Sequence, residues 1–220
     1  LVTLGFIGVL VGWIILKRGR LRPYDVGLIP AHLPMGIVYT IGFWGMAQVV
    51  HLLMSLFTYG SVTLNPEWML NPGTMIGMIL AQIIGNALFE EIAYRGFLFP
   101  QIYLHLDALR ARPWWRLGMA VLLSQGMFAL SHIPNRLYLG MSLSQIAPDL
   151  LLLLGWGILY TVIYLRTDNL FLVVGVHALG NAPATLFATS PLFAGGGASL
   201  FIYALVVLLL FGIPMIRAYG

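Results

Sequence analysis

Seven apolar runs, each close to the length of a membrane-crossing helix, set the terms for what this chain can fold into. They cover roughly 1–16, 31–58, 74–99, 117–133, 148–165, 170–189 and 198–216. A helix needs about 20 apolar residues to cross ~30 Å of hydrocarbon. Lipid offers backbone N–H and C=O groups no partners, so a spanning segment must satisfy them internally. The expected fold class is therefore all-α: a polytopic transmembrane helix bundle of about seven spans. Only 8% of residues are charged, against about 25% in soluble domains. No repeat, low-complexity segment or linker divides the chain, so 1–220 reads as a single transmembrane domain. The absence of cysteine excludes disulfides, thiolate metal sites and cysteine nucleophiles. The sequence opens at Leu1 rather than Met, as a trimmed product does. Its first run is too apolar, and too poor in small cleavage-site residues, for a signal peptide.

Basic residues orient the spans. Lys17, Arg18, Arg20 and Arg22 follow the first run; Arg110, Arg112 and Arg116 follow the third; Arg166 follows the fifth and Arg217 ends the seventh. If the spans alternate, these nine of eleven basic residues share one side. Short cytoplasmic loops carry the Lys/Arg excess, so a cytoplasmic C-terminus and an outside Leu1 are expected in a multi-pass cell-membrane protein. The net charge of +4 then reflects topology and not nucleic-acid binding. Arg95, inside a span, and Arg136, in an outer loop, are the exceptions. Trp68, Trp114 and Trp115 lie near span ends, where interfacial aromatics sit. "TLNPEWMLNPGT" (63–74) has turn chemistry. Pro100 predicts a stop or kink, and "QIYLHLDALRARPWWR" (101–116) predicts an amphipathic helix on the inner surface.

"ALFEEIAYRGFLF" (87–99) places three ionisable groups where lipid should be. One charged side chain at mid-membrane costs about 2.5–3.5 kcal/mol on insertion scales, so Glu90, Glu91 and Arg95 must face the bundle interior or a wet cavity. Glu91 and Arg95 are i and i+4, neighbours on one face and able to pair. Glu90 lies about 100° round the helix, on a polar stripe of Gln82, Asn86, Glu90 and Tyr94. A second stripe, Gly73, Gly77, Ala81 and Gly85, predicts close approach of another helix. "FALSH" sets Phe128 and His132 at i and i+4 in the fourth run; "HALGN" does the same for His177 and Asn181 in the sixth. The bland reading makes Glu91–Arg95 a buried strut, Glu90 a protonated core residue and each His a helix-to-helix hydrogen bond. Taken together, a carboxylate, two imidazoles and a carboxamide are the groups needed to activate water and hold an oxyanion. Depth opposes their meeting. Counted from the inner span ends at about 1.5 Å per residue, His177 lies ~10 Å in, Glu90 ~14 Å and His132 ~23 Å. Tilt or a later start of the fourth span is required, and a cavity open to the cytoplasm is expected.

Glu-Glu-x-x-x-Arg, then Phe-x-x-x-His, then His-x-x-x-Asn resembles the CAAX-protease and bacteriocin-processing family of intramembrane proteases, related to the type II CAAX prenyl endopeptidase. The likeness covers about 73–190. It implies an intramembrane endopeptidase acting near the end of a membrane-associated protein or peptide, lipidated or unmodified. Glu90 and His132 would activate water, and His177 and Asn181 would stabilise the oxyanion. Glu91, Arg95 and Phe128 would support the site. Family members often have eight spans, implying a further N-terminal helix absent or upstream of Leu1. No cofactor is expected. If zinc is used, the implied ligands are Glu90, His132 and His177, although no His-Glu-x-x-His pair is present. Serine, site-2 zinc and aspartyl intramembrane proteases fit less well. The chain lacks Gly-x-Ser-x-Gly, His-Glu-x-x-His and Gly-x-Gly-Asp, and Tyr24-Asp25 falls in a basic loop. A proton-coupled transporter and a non-enzymatic immunity or binding protein of the same fold remain as alternatives.

Overall fold

The computed structural model describes residues 5, 7–108, 112–182, 184–187 and 196–211. Helices fall on the seven apolar runs: α1 (Ile7–Arg18), α2 (Pro30–Tyr59), α3 (Pro72–Asp107), α4 (Pro113–Tyr138), α5 (Leu143–Thr167), α6 (Leu170–Asn181) and α7 (Gly196–Phe211). Of these, α2 to α5 are long and apolar enough to cross a membrane, whereas α6 and α7 are shorter apolar helices. The chain is a polytopic helical bundle. Prolines open several helices, where a missing N–H costs nothing. Gly60, at φ 67°, closes α2 in the left-handed conformation that spares glycine a steric penalty.

α6 is the shaft of the bundle. Nine of its twelve residues are buried, the all-round apolar pattern of a central helix. Around it pack Phe43 of α2, Tyr160 of α5 and Tyr203 of α7. A Cβ on Gly175 would come within 2.2 Å of Thr40 Oγ1, so glycine is what lets α2 approach. Asn169 caps α6, its Oδ1 accepting from the Leu172 N–H at 3.1 Å, and its Nδ2 donates to the His32 carbonyl at 2.9 Å. The α5–α6 and α1–α2 turns are thereby joined.

Those two turns and the α3–α4 turn, with its Arg116–Asp107 ion pair, make up one end of the bundle. Lys17, Arg18, Arg20, Arg22, Arg112, Arg116 and Arg166 belong to it; Arg110 and Arg217 lie outside the described residues. At the opposite end, the α2–α3 loop folds as expected of its turn residues: Asn65 Oδ1 accepts from the Glu67 N–H and starts the short helix Pro66–Leu70. This loop is also fastened to the chain that follows α6. Asn65 donates its backbone N–H to the Leu186 carbonyl at 2.8 Å and its Nδ2 to Thr185 at 3.1 Å. Trp44 Nε1 and Gln48 Nε2 both donate to the Ala184 carbonyl, at 2.8 and 3.3 Å.

Three expectations need correction. Pro100 does not stop the third span: helix continues to Asp107. The proline follows a wide turn over Ile92–Leu98, where the Phe99 N–H already bonds five residues back to Tyr94, so the missing N–H falls where the ladder is out of its usual register. The 101–107 stretch is thus the end of α3, packed on α4 through Phe99, Leu117 and Ala120, not a separate surface helix. The small-residue stripe packs nothing: among the described residues, no atom lies within 4 Å of a Cβ built on Gly73, Gly77 or Gly85. Close helix approach occurs instead at Gly175 and at Gly96, whose Cβ would meet the Val26 carbonyl at 2.3 Å.

Candidate active site

Continuation of α3 narrows the depth conflict. Leu165, near the end of α5, packs on the Phe99–Leu117–Ala120 cluster, so the α3–α4 hairpin runs beyond the α5–α6 turn. From that common level Glu90 is nine residues up α3, about 13 Å at 1.5 Å per residue. His177 is seven residues into α6, about 10 Å at the same rise. His132 lies at the break between Pro113–Leu130 and Ile133–Tyr138, where the chain can turn its imidazole towards α3.

Two wide turns, Ile83–Ala87 and Ile92–Leu98, flank the four regular residues Leu88–Glu91. Wide turns of this kind are frequent at functional sites. They present the two glutamates to different surroundings. Glu91 is fully buried, with Oε1 accepting from Arg95 Nη1 at 3.0 Å and lying 2.6 Å from His177 Nδ1. Arg95, also fully buried, donates Nη2 to the Gly157 carbonyl at 2.9 Å. Its guanidinium lies over Phe128 at 4.8 Å and Tyr160 at 5.5 Å, a cation–π arrangement that suits a desolvated Arg. Tyr160 stacks on His177, ring centres 4.6 Å apart, and Phe128 stands edge-on to His132 at 4.9 Å.

Glu90 faces a cavity of about 570 Å³ lined by Asn86, Glu90, Tyr94, Phe128, His132, His177 and Asn181, with Leu10 of α1 and Trp156 of α5 among its walls. Its Oε2 lies 3.6 Å from His177 Nε2, and its Oε1 lies 4.0 Å from His132 Nε2. Both separations are too long for a direct hydrogen bond, and short enough for a bridging water. Glu90 Oε2 is buried and has no hydrogen-bond partner among the described residues. His132 Nδ1 is 2.8 Å from the Phe128 carbonyl, which can only accept. The Nδ1–H form follows, and Nε2 is turned to Glu90. Glu91 likewise accepts from His177 Nδ1–H.

The structure thus brings together Glu90, Glu91, Arg95, Phe128, His132 and His177 as the motifs require. Asn181 lines the same cavity from its exposed rim, its Nδ2 3.5 Å from Gln82 Oε1. The polar stripe Asn86, Glu90 and Tyr94 faces the cavity, and Tyr94 donates to Ser131 Oγ at 2.8 Å. Asn86, Asn135, Arg136 and Asn181 all lie in the half of the bundle away from the basic turns. Among the described residues, no three His, Cys, Asp or Glu side chains are grouped as a metal site. Tyr160, Trp156 and the Gly157 carbonyl went unread in the sequence. The Trp156–Tyr160 i, i+4 pair in the fifth run was the available signal, and in an apolar helix it looks like any packing pair.

No curated protein and no solved structure matches the chain. The model of a protein family, the Rce1-like type II CAAX prenyl endopeptidases, matches residues 72–183. That stretch runs from the start of α3 through the end of α6 and holds all three polar motifs. With just over half of its length under that match, and Glu90, His132 and His177 gathered on one cavity, the chain belongs to the Rce1-like type II CAAX prenyl endopeptidase family.

Proposed function

We propose that this chain is an intramembrane endopeptidase that cuts a membrane-associated protein or peptide near one end, with Glu90 as the group that activates water. The observation carrying this reading is the Glu90 carboxylate on the cavity wall, its Oε2 unpartnered and facing His177 Nε2 and its Oε1 facing His132 Nε2. A water placed there gives one proton to Glu90 while its other O–H donates a hydrogen bond to His132 Nε2. Its oxygen attacks the scissile carbonyl carbon, and the carbonyl becomes an oxyanion. When His177 carries a proton on Nε2, that N–H and the Asn181 amide are donors for the oxyanion. Glu91, tied to Arg95, keeps the His177 ring in place. The proton held by Glu90 then passes to the leaving nitrogen as the C–N bond breaks, and the water's second proton leaves the new carboxyl group for His132 Nε2, giving a carboxylate and an amine. Every step uses groups of this chain and water, with no cofactor.

Protease families of this kind act in the bilayer, and the apolar helices fit a multi-pass membrane protein. We place the basic turns and the C-terminus in the cytoplasm. The substrate enters from the end bearing Asn135 and Asn181.

The deciding experiment compares membrane proteomes of cells carrying the wild type and Glu90→Gln by mass spectrometry of peptide termini. New termini that depend on Glu90 are expected. The same termini produced by Glu90→Gln would remove Glu90 from the chemistry.

A further inference from the structure

Arg136 is the one guanidinium among the residues lining the cavity, and the mechanism above leaves it without a task. A cation in a membrane bundle is costly unless something pairs it. Asp149 of α5 does so only in part: it accepts Nε–H at 2.7 Å, in a pair that is 19% and 25% exposed. Nη1 and Nη2 make no ion pair or hydrogen bond among the described residues. Pinning Nε fixes the guanidinium plane and leaves its outer edge available, the geometry that takes a carboxylate through two parallel hydrogen bonds. The Arg136 N–H bonds to the His132 carbonyl at 3.0 Å, so the two side chains stand one helical turn apart, about 6 Å along the axis. His132 Nε2 is in turn 4.0 Å from Glu90.

We propose that Arg136, oriented by Asp149, binds the free C-terminal carboxylate of the substrate and so selects which bond reaches Glu90. This deepens the protease reading and rests on it. Arg136 is a specificity residue that touches substrate, and Asp149 is a positioning residue. An extended peptide covers about 3.3 Å per residue. A carboxylate held one turn above His132 therefore sets the water at Glu90 against a bond about two or three residues from the chain end. The substrate lies with its C-terminus towards the α4–α5 turn, and a short acidic-ended peptide is released.

The test uses the full chain in detergent and a lipidated peptide library of mixed sequence, made once with free C-terminal acids and once with C-terminal amides. The wild type is expected to cut the acids with kcat/KM roughly tenfold to a hundredfold above the amides, the range of a hydrogen bond to a charged group. The difference should lie mainly in KM. Arg136→Gln should bring that ratio close to one while still cutting amides, Arg136→Lys should keep part of it, and Asp149→Asn should narrow it through KM with kcat kept. Equal cutting of acids and amides by the wild type makes Arg136 a strut and overturns the proposal while leaving the protease reading intact. A preference that persists in a folded Arg136→Gln overturns it too. Cutting of neither library overturns the protease reading and this proposal with it. The acid–amide comparison in the wild type needs no variant, so a misfolded substitution cannot shield the idea.

Discussion

Glu90 and Glu91 are consecutive, chemically identical and buried in the same helix, yet they sit in two different regions. Glu91 belongs to a dry cluster in which Arg95, His177, Phe128, Tyr160 and the Gly157 carbonyl close around one another. Its side chain is 0% exposed, against 11% for Glu90; each keeps an Oε2 with no hydrogen-bond partner among the described residues, but only Glu90 lines the cavity. A carboxylate held by a paired Arg cannot leave that pairing cheaply; one that faces a cavity can exchange protons with what enters. About 100° of helical rotation therefore separates a group enclosed by its neighbours from one that faces the cavity. The general lesson is that neither burial nor an unpartnered oxygen singles out a candidate carboxylate, whereas an unpartnered carboxylate on a cavity wall does.

That contrast can be broken by substitution. Glu90→Gln is expected to lower kcat by about 10²–10⁴, the span of general acid–base catalysis, with the thermal midpoint in detergent unchanged. A large drop in that midpoint with activity retained would exchange the roles of the two glutamates. Arg95→Met should cost about 3–5 kcal/mol of stability, because it strands Glu91 as a buried charge, and the loss should appear in detergent unfolding before it appears in any assay. If Arg95→Met melts like the wild type, the dry cluster is not the frame described here. Asn181→Ala, at the exposed rim, should reduce kcat by about 10²-fold with KM little changed, as loss of one oxyanion donor does; a rise in KM alone would make it a substrate-binding group. Tyr160→Phe should have a smaller effect, because its ring stacks on His177 and the variant keeps the ring. The smallest effect expected is that of a strong chelator, which should leave turnover unchanged. Stoichiometric zinc whose removal stops turnover would instead make Glu90, His132 and His177 ligands.

The sequence showed some of this plainly and concealed the rest for physical reasons. The Glu91–Arg95 pair and the separate direction of Glu90 follow from helical geometry alone, because both are local. The meeting of Glu90 with His132 and His177 is tertiary. Nothing in "FALSH" or "HALGN" points one imidazole at another helix, and only the order of the motifs suggested it. Depth was misread because Pro100 carries the usual signature of a helix end, and the wide turn that neutralises it has no signature of its own. The glycine stripe in α3 has the spacing of a packing seam but lies on an outer face. Glycines that do admit a neighbour, Gly96 and Gly175 among them, carry no such spacing signal. Tyr160 was invisible for a related reason: an aromatic ring in a greasy helix is the expected filler, and only coordinates separate one that stacks on a reacting imidazole from one that faces a leucine.

The fastening of residues 184–186 to Trp44, Gln48 and Asn65 has a reach beyond its own end of the bundle. It begins three residues past Asn181, so the carboxamide rides on a stretch of backbone tethered from both directions, by the shaft below and by α2 at its tail. No side chain of α2 lines the main cavity, yet loosening Gln48 or Trp44 would widen the swing of the Asn181 amide. A helix with no described residue on the cavity thus helps fix where a cavity-lining amide sits.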